Sequence, residues 1–159
     1  MQVRLIEVFT RATAGVFETY FGEKPHGGPA ISLPTNAALD FDFSGLVGVA
    51  GEVRGLVALS FQREEISRLL LATAVVKPES LEDAIRDFLG EFVNVVTGNT
   101  KKDLGETISA FSLPRILEGR PHQPRWPGLE TELVQIPFTS TSGLFALTLA
   151  LKSSQDPVA

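Results

Sequence analysis

Residues 80–104 read SLEDAIRDFLGEFVNVVTGNTKKDL, and this stretch decides how the rest of the chain is organised. Its apolar residues Leu81, Ala84, Ile85, Phe88, Leu89, Phe92, Val95 and Val96 recur at the i, i+3, i+4, i+7 spacing of a helix that buries one side. Ser80 is placed to cap the N-terminus, with Asp83 in the reciprocal position of a capping box and Pro78 just outside. Lys101 and Lys102 suit the negative pole of the helix dipole, and Gly105 can take the left-handed conformation that stops the helix. At about 100° per residue, Asp87, Glu91, Asn94 and Gly98 share one narrow stripe turned away from the apolar side. A face that offers water two acids, an amide and a gap is suited to docking.

Working outward, residues 3–21 form a second helical pattern with Ile6, Phe9, Thr13, Val16, Phe17, Tyr20 and Phe21 on one side and Gly22 at its end. EKPHGGPA, residues 23–30, is a loop by composition, and residues 31–33 form a short edge strand before Pro34. Residues 41–61 give two runs rich in Val, Leu and Phe around Ala50-Gly51-Glu52, a β-hairpin whose glycines at 45, 48, 51 and 55 allow bulges or close backbone approach. Residues 62–74 predict a shorter helix with Ile66, Leu69, Leu70 and Ala74 inward. Residues 107–113 alternate as a strand ended by Pro114, and the proline-rich stretch 114–128 is an irregular loop. Residues 130–138 and 144–151 make a second hairpin turned at 139–143, ahead of a frayed tail. Hairpins dominate and no strand-helix-strand alternation is evident. The pattern predicts an α/β (α+β) fold, a mainly antiparallel sheet packed against two long helices and a shorter one, as a single domain over residues 1–159.

Composition narrows the function. With 43% hydrophobic and 21% charged residues the chain has the balance of a globular protein. A net charge of −5 without a basic patch argues against a nucleic-acid partner. The absence of cysteine removes disulfides, thiolate nucleophiles and thiolate zinc sites. No segment has the apolar run of a signal peptide or a membrane span, so a cytoplasmic protein without membrane association is expected.

Few residues are candidates for chemistry. His26 and His122, the two histidines, lie in proline- or glycine-rich surroundings with no second ligand at metal spacing, and read as ordinary loop residues. No nucleophile elbow, Walker loop or dinucleotide fingerprint is present. Trp126 is either an interface anchor or folded back over the core, with the second reading preferred. What remains is Glu91-x-x-Asn94, extended one turn by Asp87 and followed by Gly98, where a partner's backbone has room to approach.

The segment Asp87-x-x-x-Glu91-x-x-Asn94, with Gly98-Asn99 and later Pro114, resembles the CheX branch of the CheC/CheX/FliY phosphatases of bacterial chemotaxis. Phe17-Glu18-Thr19 is similar to that family's opening helix, residues 43–45 with 55–61 to its first hairpin, and Phe111-Ser112-Leu113-Pro114 to the strand end after the active helix. Only one acid-x-x-Asn pair is present. Glu18 has Phe21 where a second Asn would stand, which resembles the single-site CheX pattern, and the stretch 114–128 is a local elaboration.

The resemblance implies hydrolysis of the aspartyl phosphate on a phosphorylated CheY-type response regulator. Asn94 would position the attacking water, Glu91 would pair with a cation on the regulator, and Asp87 and Gly98 would contact the partner. It implies no cofactor or metal on this chain, a Mg²⁺ carried by the regulator, and a homodimer formed through strand edges. Two rivals stand beside it: a catalytically inactive module that binds a regulator or a flagellar switch component, and a structural dimer with no role for the stripe.

Overall fold

The computed structural model describes residues 1–124 and 130–155. Trp126 lies outside the described residues. Helix α1 (Val3–Phe21) ends at Gly22, whose φ of 72° is the left-handed cap that the glycine allows. Strands β1 (His26–Gly27) and β2 (Ile31–Leu33) precede the hairpin of β3 (Phe43–Ala50) and β4 (Val53–Phe61). Helices α2 (Arg63–Ala72) and α3 (Leu81–Leu104) come next, then β5 (Ala110–Phe111), β6 (Arg115–Glu118), β7 (Leu133–Ser140) and β8 (Gly143–Ser153). Every pairing is antiparallel, in the order β1-β7-β8-β4-β3-β5, with β2 also on β7 and β6 also on β3. The antiparallel sheet with three α-helices is the fold that the sequence pattern predicts.

Alternation along the strands sends side chains to two apolar clusters. Phe43, Val47 and Val49 of β3, Val57, Leu59 and Phe61 of β4, and Phe145, Leu147 and Leu149 of β8 face α1 and α3. Leu46, Leu56, Ala58, Ala146 and Ala150 face the other way, under Leu39, Phe41 and Leu117. Both faces are covered, which is why the central strands read as nearly continuous apolar runs.

Several local expectations need correction. Ser80 makes no side-chain cap bond; residues 78–80 form a 3₁₀ turn that runs into α3, and Asp83 instead pairs with Arg86 at 3.4 Å. The glycine- and proline-rich loop 23–30 contains β1, because His26 and Gly27 align with Thr139 and Phe138. The strand expected at 107–113 shrinks to Ala110–Phe111 behind a 3₁₀ turn at Gly105–Thr107. The irregular loop 114–128 contains β6, whose Arg115–Glu118 pair with Leu46–Phe43 while Ile116 and Leu117 pack on opposite sides of the sheet. Pro114 directly precedes this strand, Gly119 with φ 104° follows it, and Pro121 beyond adds to the composition of a loop.

His122 is more than a loop residue. Its Nε2 lies 2.6 Å from Ser44 Oγ, which is itself 2.6 Å from Ser60 Oγ, and its Nδ1 lies 2.7 Å from the Gly119 carbonyl. Ser44 and Ser60 are fully buried neighbours on β3 and β4 whose hydroxyls bond each other, and the imidazole takes up the hydrogen-bonding capacity that Ser44 has left. Backbone bonds between His122 and Leu39 complete the pin holding this segment to the sheet.

Helix α2 buries Ile66, Leu69 and Leu70, but ends before Ala74, which is exposed with φ 61°. The same buried face carries Glu65, 2% exposed, with neither carboxylate oxygen hydrogen-bonded among the described residues. Burial pushes its pKa up to about 7, against smaller opposing effects of the Arg68 charge and the nearby Ser140 hydroxyl. That hydroxyl is directed to the Gly143 carbonyl at 3.4 Å. Because the folded value lies above the ordinary 4.5, the folded state binds more protons than the unfolded chain between these limits, and stability falls as pH rises from about 4.5 through 7. The full penalty above pH 7 is about 3 kcal/mol. Glu65→Gln is expected to raise the denaturation midpoint at pH 8 and to raise it far less at pH 5, as urea titrations at the two pH values would show.

Candidate functional site

The rigidity of α3 comes from its buried side. Ile85, Phe88, Leu89, Phe92, Val93 and Val96 are all 7% exposed or less. Phe88 and Phe92 stack with centroids 5.1 Å apart, and both meet Phe61 of β4. A Cβ built on Gly45 of β3 would stand 2.7 Å from the Leu89 carbonyl oxygen, so only glycine admits the helix backbone at this distance from the sheet. Val95, expected on the buried side, is 38% exposed, because the core contact is centred on Phe92 and Val96 and leaves it at the margin.

The stripe opposite is where periodicity places it: Asp87, Glu91, Asn94 and Gly98 are all exposed. Asp87 has no side-chain partner among the described residues. Its neighbour Arg86 binds Glu118 of β6 and lies 3.4 Å from Asp83 and 3.8 Å from Glu82, tying the first turns of α3 to the sheet edge. The Glu118 bond holds the Arg86 guanidinium above its ordinary pKa and the Glu118 carboxyl below its own. Gly98 is open, and a Cβ added there would meet nothing within 4 Å.

Glu91 is not simply solvated. Tyr20, in the last turn of α1, donates its hydroxyl to Glu91 Oε1 at 2.6 Å. The ring meets Phe88 and Phe92 edge-on at 5.4 and 6.1 Å, and burial, then the Glu91 hydrogen bond and charge, push the phenol pKa up to about 12. One carboxylate oxygen is thereby held while Oε2 stays available. Periodicity put Tyr20 on the inner face of α1 without indicating its partner. The available signal was chemical: a phenol at the rim of an apolar face needs a polar group for its hydroxyl.

Asn94 stands one turn on. Its backbone carbonyl accepts a bond from buried Thr97 at 3.0 Å, and the same hydroxyl bonds the Val93 carbonyl at 2.8 Å. Its side-chain amide has no partner among the described residues and is exposed. A free amide beside a half-occupied carboxylate can order a water with one group and attract a cation with the other. On α1, Phe21 is half-buried, 4.9 Å from Phe17 and 5.3 Å from Phe88, so this helix buttresses α3 where a second Asn would stand.

Among the described residues, no group of three or more His, Asp or Glu side chains gathers to hold a metal ion. No helix is long and apolar enough to cross a membrane among the same residues. Four surface hollows among the described residues are all lined by residues outside the stripe. The stripe lies on a convex helix face, a shape that suits a macromolecular partner more than an enclosed small molecule.

Comparison with known proteins bears on this geometry. No curated protein matches the chain. Among solved structures, a CheC-like superfamily protein from Shewanella sp. PV-4 has a TM-score of 0.80 at 25% identity, covering 96% of this chain and all of that one (100%). CheX from Vibrio vulnificus has a TM-score of 0.79 at 20% identity, with coverages of 94% and 100%. CheX from Borrelia burgdorferi, solved in complex with CheY, BeF3 and Mg²⁺, has a TM-score of 0.71 at 17% identity, with coverages of 93% and 97%. The last two likenesses concern the fold alone. A family profile described as "Chemotaxis phosphatase CheX" matches residues 43–139, which take in β3 through most of β7 and every residue of the stripe. Since that match spans more than half of the sequence, the chain belongs to the CheX family of chemotaxis phosphatases.

Proposed function

We propose that this protein hydrolyses the aspartyl phosphate of a CheY-type response regulator, with Asn94 positioning the attacking water and Glu91 gripping a cation on the regulator. The observation that carries this reading is the Asn94 amide, without a partner among the described residues, one turn from a carboxylate held at one oxygen, on the exposed side of a firmly packed helix. The regulator brings the phosphoryl group, its own Mg²⁺ and its own lysine, so the phosphatase has little left to supply except the placement of water. The water oxygen bonds to phosphorus as the bond to the aspartyl oxygen breaks. Inorganic phosphate leaves, the regulator's carboxylate is restored, and the water's protons pass to phosphate and solvent.

An amide suits this position because it both donates and accepts, and carries no charge to repel the phosphoryl oxygens. Orientation of this kind can supply several kcal/mol of the barrier. Glu91, being anionic, belongs beside a cation of the partner, with its free oxygen outward. Asp87 extends the anionic surface, and open Gly98 lets the partner's backbone approach. A homodimer is compatible with this reading when residues 87–98 stay outside its interface.

The test is phosphate release from a response regulator loaded with acetyl phosphate, for wild type, Asn94→Ala and Glu91→Ala. Glu91→Ala is expected to raise KM about tenfold or more with a smaller change in kcat, since it removes one charge-assisted contact of about 1.5–3 kcal/mol. Regulator binding without any acceleration of phosphate loss by wild type would overturn the catalytic reading and leave an interaction module.

A further inference from the structure

We propose that Tyr20 is a positioning residue for Glu91: its hydroxyl captures one carboxylate oxygen and turns the other outward for the partner's cation. The inference rests on the reading of Glu91 as the gripping residue and adds a second helix to the site. A glutamate on an exposed helix face samples several rotamers, and a cation that fixes one of them bears the entropic cost. Tyr20 bears that cost in advance. Its own ring is immobilised by Phe88 and Phe92, which belong to the same helix as Glu91, so phenol and carboxylate share one rigid body. The O–H···O separation of 2.6 Å is that of a charge-assisted bond, and the high phenol pKa agrees with a proton kept on Tyr20 by burial and by Glu91.

The bond also gives α1 a part in the site. Glu18 and Phe21 offer no second acid-amide pair, and Phe21 is committed to Phe17 and Phe88. Tyr20 is the one residue of that last turn whose side chain reaches the stripe by a hydrogen bond among the described residues.

Tyr20→Phe keeps the ring and removes one oxygen. KM for the phosphorylated regulator is expected to rise about fivefold to tenfold, kcat to fall by less than about twofold, and Tm to shift by only about 2–4 °C. In the Glu91→Ala background the same substitution is expected to leave KM unchanged, since its effect passes through the carboxylate. A KM increase that persists undiminished in that background, or no increase in the wild-type background, overturns the proposal. A second arm does not depend on phosphatase activity. Tyr20 is the sole tyrosine, so the phenolate absorbance of the folded protein, read by stopped flow after a pH jump, follows this hydroxyl alone. Glu91→Gln is expected to bring the titration from about 12 part of the way towards 10, burial sustaining the rest. An unmoved titration overturns the proposal even if the enzyme is active. A moved titration in a protein that releases no phosphate leaves the bond established and removes the phosphatase reading instead; KM is then replaced by the Kd for the BeF3-loaded regulator, with the same expectations.

Discussion

Asn94→Ala is expected to lower kcat for regulator dephosphorylation by about 10²–10³-fold, towards the regulator's own rate of phosphate loss, with KM changed by less than about threefold. The size follows from the division of labour. If the regulator supplies the metal, the phosphoryl group and the lysine, the amide's placement of water is nearly the whole contribution of this chain, and removing a single well-placed polar group at a reacting centre costs about 10²–10³ in rate. The fold should not suffer. Asn94 is exposed, its side chain bonds nothing among the described residues, and alanine is the better helix former by a few tenths of a kcal/mol, so Tm should stay level or rise slightly. Asn94→Asp separates water placement from simple polarity, because it keeps the shape and adds a charge facing the phosphoryl oxygens. It should be as slow as the alanine variant. Full turnover in either variant would remove Asn94 from the chemistry, whatever its effect on binding.

The stripe itself was legible in the sequence because exposure along a helix follows from a single period. Once Phe88, Phe92 and Val96 are assigned inward, Asp87, Glu91, Asn94 and Gly98 have nowhere to point but out. The β3–β4 and β7–β8 hairpins were legible for the same kind of reason, since their apolar runs are long and bounded by turn residues. Two kinds of information were not. Strand β6 is four residues long between prolines, and its assignment depends on an edge of β3 that becomes available only once the sheet is assembled. The Tyr20–Glu91 bond joins α1 to α3 across 71 positions of sequence, and no local period reports such a pairing. His122 failed in the same way: its partner Ser44, itself bonded to Ser60, is set by the register of a hairpin far upstream. Periodicity reveals which side of an element is buried, whereas the identity of the group across the gap needs the tertiary fold.

That distinction makes Gly45 the strongest test of how the fold serves the site. Gly45→Ala is expected to lower Tm by about 5–10 °C and to cut turnover about tenfold even where the protein remains folded. The added methyl would stand 2.7 Å from the Leu89 carbonyl oxygen and 3.2 Å from its carbon, both backbone atoms of α3, so no side-chain rotation relieves the contact. The helix must move outward by several tenths of an ångström, loosening Leu89 and Phe92, and overpacking of this kind costs about 1–3 kcal/mol. Leu89 is two residues from Glu91 and five from Asn94, so the displaced backbone carries the site with it. A 1 Å misplacement at a reacting group costs about 10²-fold, so a shift of several tenths of an ångström accounts for about tenfold. Gly15→Ala is the control. Gly15 is an exposed interior position of α1 where the new methyl meets nothing within 4 Å, so the same chemical change should stabilise the protein by about 0.5–1 kcal/mol and leave turnover intact. Opposite signs from one substitution type at two glycines would locate the effect at the contact between β3 and α3. Equal and small effects would mean that the helix can yield there without consequence, and that the position of Asn94 does not depend on the sheet beneath it.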